Sequence, residues 1–223
     1  NLETIRQAFE VDRIHATDSQ RVNVFWLPGY HDMGLIGAIL AAMYSCRQSV
    51  LMSPTSFLQR PLRWLQTISD FGAAESGAPN FAYDLCVDKT TPEQRGDLDL
   101  SNWQLAFCGA EPIRPQTLDR FSKAFAISGF RAEAFYPCYG LAEATLLVTG
   151  GKGAARQIVK RVKRESLAKH RIEEANGNPV QQIQELVGCG STFLDQELVI
   201  VDSATFERCG DECVGEIWIK GDS

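Results

Sequence analysis

Tyr139, Gly140 and Glu143 stand together in one short stretch, "YPCYGLAEATLL" (136–147), with apolar residues on both sides. Each of the three suits a different part of a ligand. A tyrosine ring stacks on a flat heterocycle, a glycine lets a ligand approach the backbone, and a carboxylate holds a hard cation such as Mg²⁺. The same residues also read as a turn opening an apolar helix, with Glu143 an early acid favoured by the helix dipole. A second stretch, "FCGAEP" (107–112), likewise ends an apolar run in a glycine-containing turn. In a third, "WLPGYHDMGLIGAIL" (26–40), His31 and Asp32 sit between a strand-like run and an apolar one, where the pair serves either chemistry or helix capping.

Elements of two periodicities must position these residues. From residue 1 to about 150, short apolar β-type runs alternate with helix-period segments, which predicts an α/β layered fold. "NLETIRQAFEVDR" has the pattern of an amphipathic helix. "VNVFWLP" (22–28) and "QSVLMS" read as strands, with "MGLIGAILAAMYSC" between them as a buried helix. Pro61 suits the first turn of the next helix and Gly72 its stop, with Leu62, Leu65 and Ile68 at helical spacing. Asn80 is an N-cap candidate for "NFAYDLCVDK". "WQLAFCGAEPI" is a strand and loop, and "RPQTLDRFSKAFAISG" a helix with Leu118, Phe121 and Phe125 on one face, closed by Gly129. "AEAFYPCYG" is the next strand and loop. In open α/β sheets ligands bind beyond the carboxyl ends of the strands, so two adjacent strand-to-loop pieces would share one crevice.

After Gly151 the texture turns polar and charged, and residues 152–185 read as an insertion or linker, open to strand or helix. Residues 196–201 and 214–220 then read as two strands. The expected division is 1–151 α/β, 152–185 polar insertion, and 186–223 the start of a β-rich subdomain. "TGGKGAA" (149–155) lacks the G-x-x-x-x-G-K-[ST] spacing and reads as a glycine turn.

Charge and cysteine content narrow the function classes. A formal charge of −6 argues against a general nucleic-acid surface. The basic run "RQIVKRVKRESLAKHR" is open to three readings: a solvated face, a docking patch for an acidic carrier protein, or a membrane-surface element. Seven scattered cysteines suit a reducing compartment, and Cys209 and Cys213 alone supply half a zinc site at most. The longest apolar run is too short to span a bilayer, and the amino terminus does not read as a leader. These features predict a cytoplasmic soluble protein without stable membrane insertion. The sequence starts without an initiator Met and reads as a piece of something longer.

The stretches "WLPGYHDMGLIG", "PNFAYDLC", "FCGAEPI", "EAFYPCYGLAEATLLVTGG", "LVGCG" and "VGEIWIKG", in this order, resemble the fatty acyl-AMP ligases of the acyl-adenylate-forming superfamily. The resemblance covers nearly the whole chain. It implies the layered sheet-and-helix part of the adenylate-forming N-terminal domain, followed by the start of a β-rich subdomain. It implies ATP and Mg²⁺ as cofactors, a fatty acid as substrate, and activation of its carboxylate to acyl-adenylate with release of pyrophosphate. The acyl group would then pass to an acyl carrier protein or a polyketide synthase carrier domain, for lipid or polyketide synthesis.

By the same resemblance, Gly109, Ala110, Glu111 and Pro112 would line the adenine through their backbone. Tyr139 would lie against it, with Gly140, Leu141 and Ala142 beside it. Glu143 would hold Mg²⁺ at the phosphates. His31 would stand near the reacting carboxylate, and His31, Asp32, Met33, Gly34, Asn80 and Phe81 would border the acyl tunnel. Two departures are visible: Ala142 stands where the wider superfamily has a hydroxyl residue, and Gly29 where a larger residue is common. Ala142 and the 152–185 insertion favour an acyl-AMP ligase over an acyl-CoA ligase; a silent nucleotide- or acyl-binding piece is the third reading. The family's phosphate loop would precede residue 1, and its ribose aspartate and C-terminal lysine would follow residue 223, so this piece alone is expected to be inactive.

Overall fold

The structure, a computed structural model, describes residues 1–10, 21–151 and 157–222. Helix α1 (Leu2–Glu10) precedes strand β1 (Val22–Phe25). A π-helical segment, Met33–Leu40, continues into α2 (Ala41–Tyr44) and leads to β2 (Gln48–Leu51). Next come α3 (Pro54–Gln59), α4 (Leu62–Asp70), β3 (Glu75–Ala78), α5 (Asn80–Asp88) and α6 (Pro92–Gly96). They lead to β4 (Leu105–Cys108), α7 (Pro115–Phe125), β5 (Phe135–Gly140) and β6 (Leu147–Gly150). Strands β7 (Val159–Lys163), β8 (Ile183–Val187), β9 (Ser191–Thr192), β10 (Glu197–Val201) and β11 (Glu216–Lys220), with α8 (Arg164–Leu167) after β7, complete the described elements.

Strands β2-β1-β3-β4-β5-β6-β9 lie side by side in one sheet, the first five parallel and the last two joined antiparallel. Parallel neighbours need a crossover, and helices supply each one here. Alternate residues of a strand point to opposite faces, so the sheet has two cores. Val24, Ala106, Cys108 and Phe135 join the helices α3, α4, α5 and α7 in a cluster that includes Phe57, Trp64, Tyr83 and Phe121. Phe25, Leu105, Phe107 and Tyr136 face Ile5 of α1 and Ala38 and Ala41 on the other side. Trp64 sits amid Trp26, Phe57, Tyr83 and Trp103 in edge-on contacts, and its indole N–H donates to Ser76 Oγ at 2.8 Å. The α/β layered expectation for residues 1–150 holds.

Three local expectations are corrected. The apolar segment 33–44 is buried on one face only: Gly34, Ala38, Ala41 and Ala42 pack inward, while Leu35, Met43 and Tyr44 are exposed. Only small residues fit against the sheet at this spacing. Asn80 is not an N-cap; helix α5 starts at Asn80, after Pro79, and the Asn80 side chain is engaged elsewhere. No long helix follows Tyr139 and Gly140. A single 3₁₀ turn, Ala142–Ala144, reverses the chain into β6, which returns antiparallel to β5.

Within 157–187, β7 and β8 pair antiparallel, Val159 opposite Val187 through Lys163 opposite Ile183. Both readings of that stretch are realised in part, as strands β7 and β8 and as the short helix α8 between them. β10 and β11 form the expected second pair. Residues 152–155 of the glycine turn and 11–13 of the first helix lie outside the described residues.

Candidate functional site

The carboxyl ends of β1, β4 and β5 bring the three stretches of interest to one edge of the sheet. There, His31, Asp32, Met33, Gly109, Ala110, Tyr139, Gly140, Leu141 and Ala142 border a groove of about 480 Å³. A second groove, about 770 Å³, adjoins it across Ala110, Cys138, Tyr139 and Gly140. Glu111 and Pro112 line this second groove, together with Arg161 and Arg164 from the polar segment and the β8 residues. Gly34, Asn80, Phe81 and Glu143 line neither groove.

The hairpin of β5 and β6 explains why glycine stands at 140. A Cβ built there would lie 1.8 Å from the carbonyl oxygen of Leu146, so no larger residue allows the chain to close. Leu141 N–H donates to Leu146 O at 3.0 Å and shuts the loop, and Thr145 takes a positive φ of 67°. Glu143 projects from the middle of this turn. It is exposed and has no hydrogen-bond or ion-pair partner among the described residues. A lone free carboxylate fits Mg²⁺, which is usually held by one or two carboxylates plus the phosphates of a substrate.

His31 and Asp32 are built as a pair at the entry to the π-helical segment. Asp32 is its N-cap, its Oδ1 accepting the Met33 N–H at 2.7 Å. His31 Nδ1 lies 2.5 Å from the same Asp32 oxygen and 3.2 Å from Met33 N, which engages one side of the ring. Nε2 is the unengaged nitrogen, on a side chain about half exposed (54%) at the groove. Gly34 permits this geometry, because a Cβ there would sit 2.1 Å from the Pro28 carbonyl oxygen. Capping and proximity to the groove thus coexist in the same two residues.

Loop 109–114 follows β4. Ala110 adopts a positive φ of 65°, and the Glu111 carboxylate accepts the Phe81 N–H at 2.7 Å. Asn80 is buried, its Oδ1 accepting from Arg114 N–H at 3.0 Å and its Nδ2 donating to Thr117 Oγ1 at 3.1 Å. Phe81 is partly exposed, its ring edge-on to Trp26.

The site also contains residues that the sequence did not single out, most of them inside the quoted stretches. Cys138 lines both grooves, but burial pushes its thiol up to about 12, so it stays protonated and unreactive. Ile5, Phe107, Leu146 and Leu147 supply the apolar walls of the first groove. Nothing in their types marks them; only β6 folding back on β5, and α1 packing beneath, places them there.

A family profile described as "AMP-binding enzyme" matches residues 2–223. The chain is 42% identical over 202 residues to the medium-chain-fatty-acid–[acyl-carrier-protein] ligase JamA of Moorena producens, covering 90% of this chain and 34% of that protein. It is 39% identical over 211 residues to the corresponding ligase TtuA of Teredinibacter turnerae, covering 95% and 33%. Its fold superposes with a TM-score of 0.90 and 45% identity on a fatty acyl-adenylate ligase from L. pneumophila in complex with acyl adenylate and pyrophosphate, over 99% of this chain and 37% of that one. The chain therefore spans about a third of the length of these relatives. The family match runs through both grooves and both β pairs, and the motif-based resemblance to fatty acyl-AMP ligases agrees with it: this chain belongs to the AMP-binding enzyme family.

Proposed function

We propose that the complete protein activates a fatty acid with ATP to the acyl-adenylate, releasing pyrophosphate, and hands the acyl group to a carrier-protein thiol. The observation that carries this reading is the convergence of Gly109 and Ala110, the hairpin turn 139–142 and His31–Met33 on one groove of about 480 Å³, with Glu111 and Pro112 in the groove that adjoins it. Relatives to which the chain is similar are named for fatty acids, acyl carrier protein and acyl adenylate, which supports the reading.

The chemistry asks for positioning and charge neutralisation rather than for acids and bases. A carboxylate oxygen attacks the α-phosphorus of ATP, the P–O bond to the β-phosphate breaks, and pyrophosphate leaves with its electron pair. Reactants that are already ionised need alignment in a preformed site. The Tyr139 ring would stack on the adenine, and the backbone of Gly109, Ala110, Glu111 and Pro112 would border it. Gly140, Leu141 and Ala142 would let the nucleotide approach the hairpin. His31, held by Asp32 on one ring edge, would face the carboxylate with Nε2, and Met33 and the apolar groove wall would receive the acyl chain. Glu143 would hold Mg²⁺, which when bound offsets the phosphate charge. Gly34, Asn80 and Phe81 would serve from behind this surface, as supports of the segments that meet the acyl chain.

Within this reading, residues 1–151 form the acyl- and nucleotide-binding part, 152–185 an insertion, and 186–223 the beginning of a β-rich subdomain. A cytoplasmic location suits a protein in which no helix among the described residues is long and apolar enough to cross a membrane. The test is ATP–pyrophosphate exchange by the complete protein with a series of fatty acids, followed by transfer to a phosphopantetheinylated carrier protein or to CoA. Fatty-acid-dependent exchange and acylated carrier are the expected results. Exchange that ignores fatty acid overturns the substrate assignment, and transfer to CoA at the same rate as to the carrier overturns the acceptor assignment.

A further inference from the structure

We infer that Glu111 is a positioning residue: its side chain faces away from the nucleotide and, with Asn80, fixes loop 109–114 in the shape that borders the adenine. The inference rests on the adenylate-forming reading above and adds to it a division of labour between backbone and side chain.

Strand register sets the arrangement. β3 and β4 are parallel, and their partners differ by 30 in number, from Glu75 opposite Leu105 to Ala78 opposite Cys108. The same offset continues past the strand ends, where the Phe81 N–H meets the Glu111 carboxylate at 2.7 Å. Phe81 belongs to the first turn of α5, where backbone N–H groups have no acceptor within the helix. Pro79, at the N-cap position, makes no side-chain cap bond. Glu111 supplies the missing acceptor from a different loop, and its negative charge suits the positive end of the helix.

Asn80 makes the second attachment. Its Oδ1 accepts from Arg114 N–H, and its Nδ2 donates to Thr117 Oγ1 at the start of α7. Thr117 Oγ1 in turn donates to Asp84 Oδ2 at 2.7 Å, one turn further along α5. Loop 109–114 is therefore tied at two points, Glu111 and Arg114, to one turn of one helix. Between them and β4 stands Ala110, which holds a left-handed backbone conformation that alanine does not favour and that needs support from outside. The two attachments provide it. Ala110 also lines both grooves, so its conformation shapes the wall that separates them.

This role requires the reach of the side chain first, its charge adding a smaller helix-end contribution. In the complete protein, Glu111→Gln keeps an oxygen acceptor at the same distance and should leave KM for ATP within about twofold of the parent. Glu111→Asp keeps the charge but is too short, and Glu111→Ala keeps neither. Both should raise KM for ATP about tenfold while KM for the fatty acid stays unchanged. Amide hydrogen exchange at Phe81 should become faster in the Asp and Ala variants and remain slow in the Gln variant, a readout independent of turnover. Parental KM for ATP in Glu111→Ala, or equal loss in Glu111→Gln and Glu111→Ala, overturns the positioning role. A parent protein without fatty-acid-dependent exchange overturns instead the functional reading beneath it, whatever Phe81 does.

Discussion

Asn1 and Leu147 are joined in both directions: Asn1 Nδ2 donates to the Leu147 carbonyl at 2.9 Å, and the Leu147 N–H donates to Asn1 Oδ1 at 3.1 Å. A side-chain amide here imitates the paired bonds of a β ladder. The same Nδ2 also reaches the Ala144 carbonyl at 3.0 Å. Asn1, just before α1, thus holds both the end of the turn that carries Glu143 and the start of β6. The exposed carboxylate is mounted on a turn fixed from below, which is the condition for a group that must meet a ligand at a set position.

Glu143→Ala in the complete protein should cut fatty-acid-dependent ATP–pyrophosphate exchange by at least a hundredfold while leaving the thermal midpoint unchanged. Loss of a carboxylate that helps place a charge-neutralising metal costs several kcal/mol of transition-state stabilisation in such sites. The fold should not suffer, because the Glu143 side chain makes no contact that the turn depends on. Exchange within threefold of the parent would remove Glu143 from the mechanism.

Asn1→Ala should have an intermediate effect. It removes the partner of the buried Leu147 N–H and leaves the Leu147 carbonyl with Gln196 Nε2 at 3.3 Å, a cost of about 1–3 kcal/mol in stability. Exchange should fall about tenfold, less than in Glu143→Ala, because the carboxylate remains but its turn is less constrained. Parental stability and exchange together would mean that the hairpin alone sets the turn.

Much of this architecture is legible in the sequence because short-range patterns decide it. Short, largely apolar runs such as "VNVF" and "LAFC" mark strands covered on both faces, and Pro61, Gly72 and Gly129 punctuate helices where the chain does turn. The site stretches converge because each follows a parallel strand, and parallel strands end on the same side of a sheet. The hairpin after Gly140 is not legible in this way. "AEATLLVTGG" has enough Ala and Leu for a helix, and only contact with β5, with the Leu146 carbonyl over Gly140, selects a strand. Asn80 fails as a predicted cap for a similar reason. Its partners, Arg114 and Thr117, are more than thirty residues away.

Gly140→Ala tests that hairpin directly. The added methyl would have to displace backbone, since the obstructing atom is the Leu146 carbonyl oxygen at 1.8 Å and not a flexible side chain. Overpacking of this kind costs about 1–3 kcal/mol. Midpoint denaturation of the complete protein should shift accordingly, and exchange should fall with it, because the shifted backbone is the groove wall itself. An unchanged midpoint would show that the hairpin is looser than its closure by Leu141 N–H to Leu146 O implies.

Glu75 gives a pH dependence of stability located at the opposite edge of the sheet from the grooves, at the amino end of β3. It is buried, and burial pushes its carboxyl up from 4.5 to about 7, outweighing the pull of Arg47 at 3.1 Å and of Arg21. A carboxyl whose folded value lies above its unfolded one holds its proton more tightly in the folded state. Its stabilising contribution is therefore complete below about 4.5, declines as pH rises from there to about 7, and is constant above that. Glu75→Gln, which keeps a neutral hydrogen-bonding group near Arg47, removes the titration. The difference in thermal midpoint between the parent and Glu75→Gln should therefore move against the parent as pH rises from about 4.5 to 7. Exchange activity at saturating substrate should show no matching change, since Glu75 lines neither groove. A difference that is flat across this range, or that moves in favour of the parent, would mean that Arg47 keeps the buried carboxylate ionised throughout.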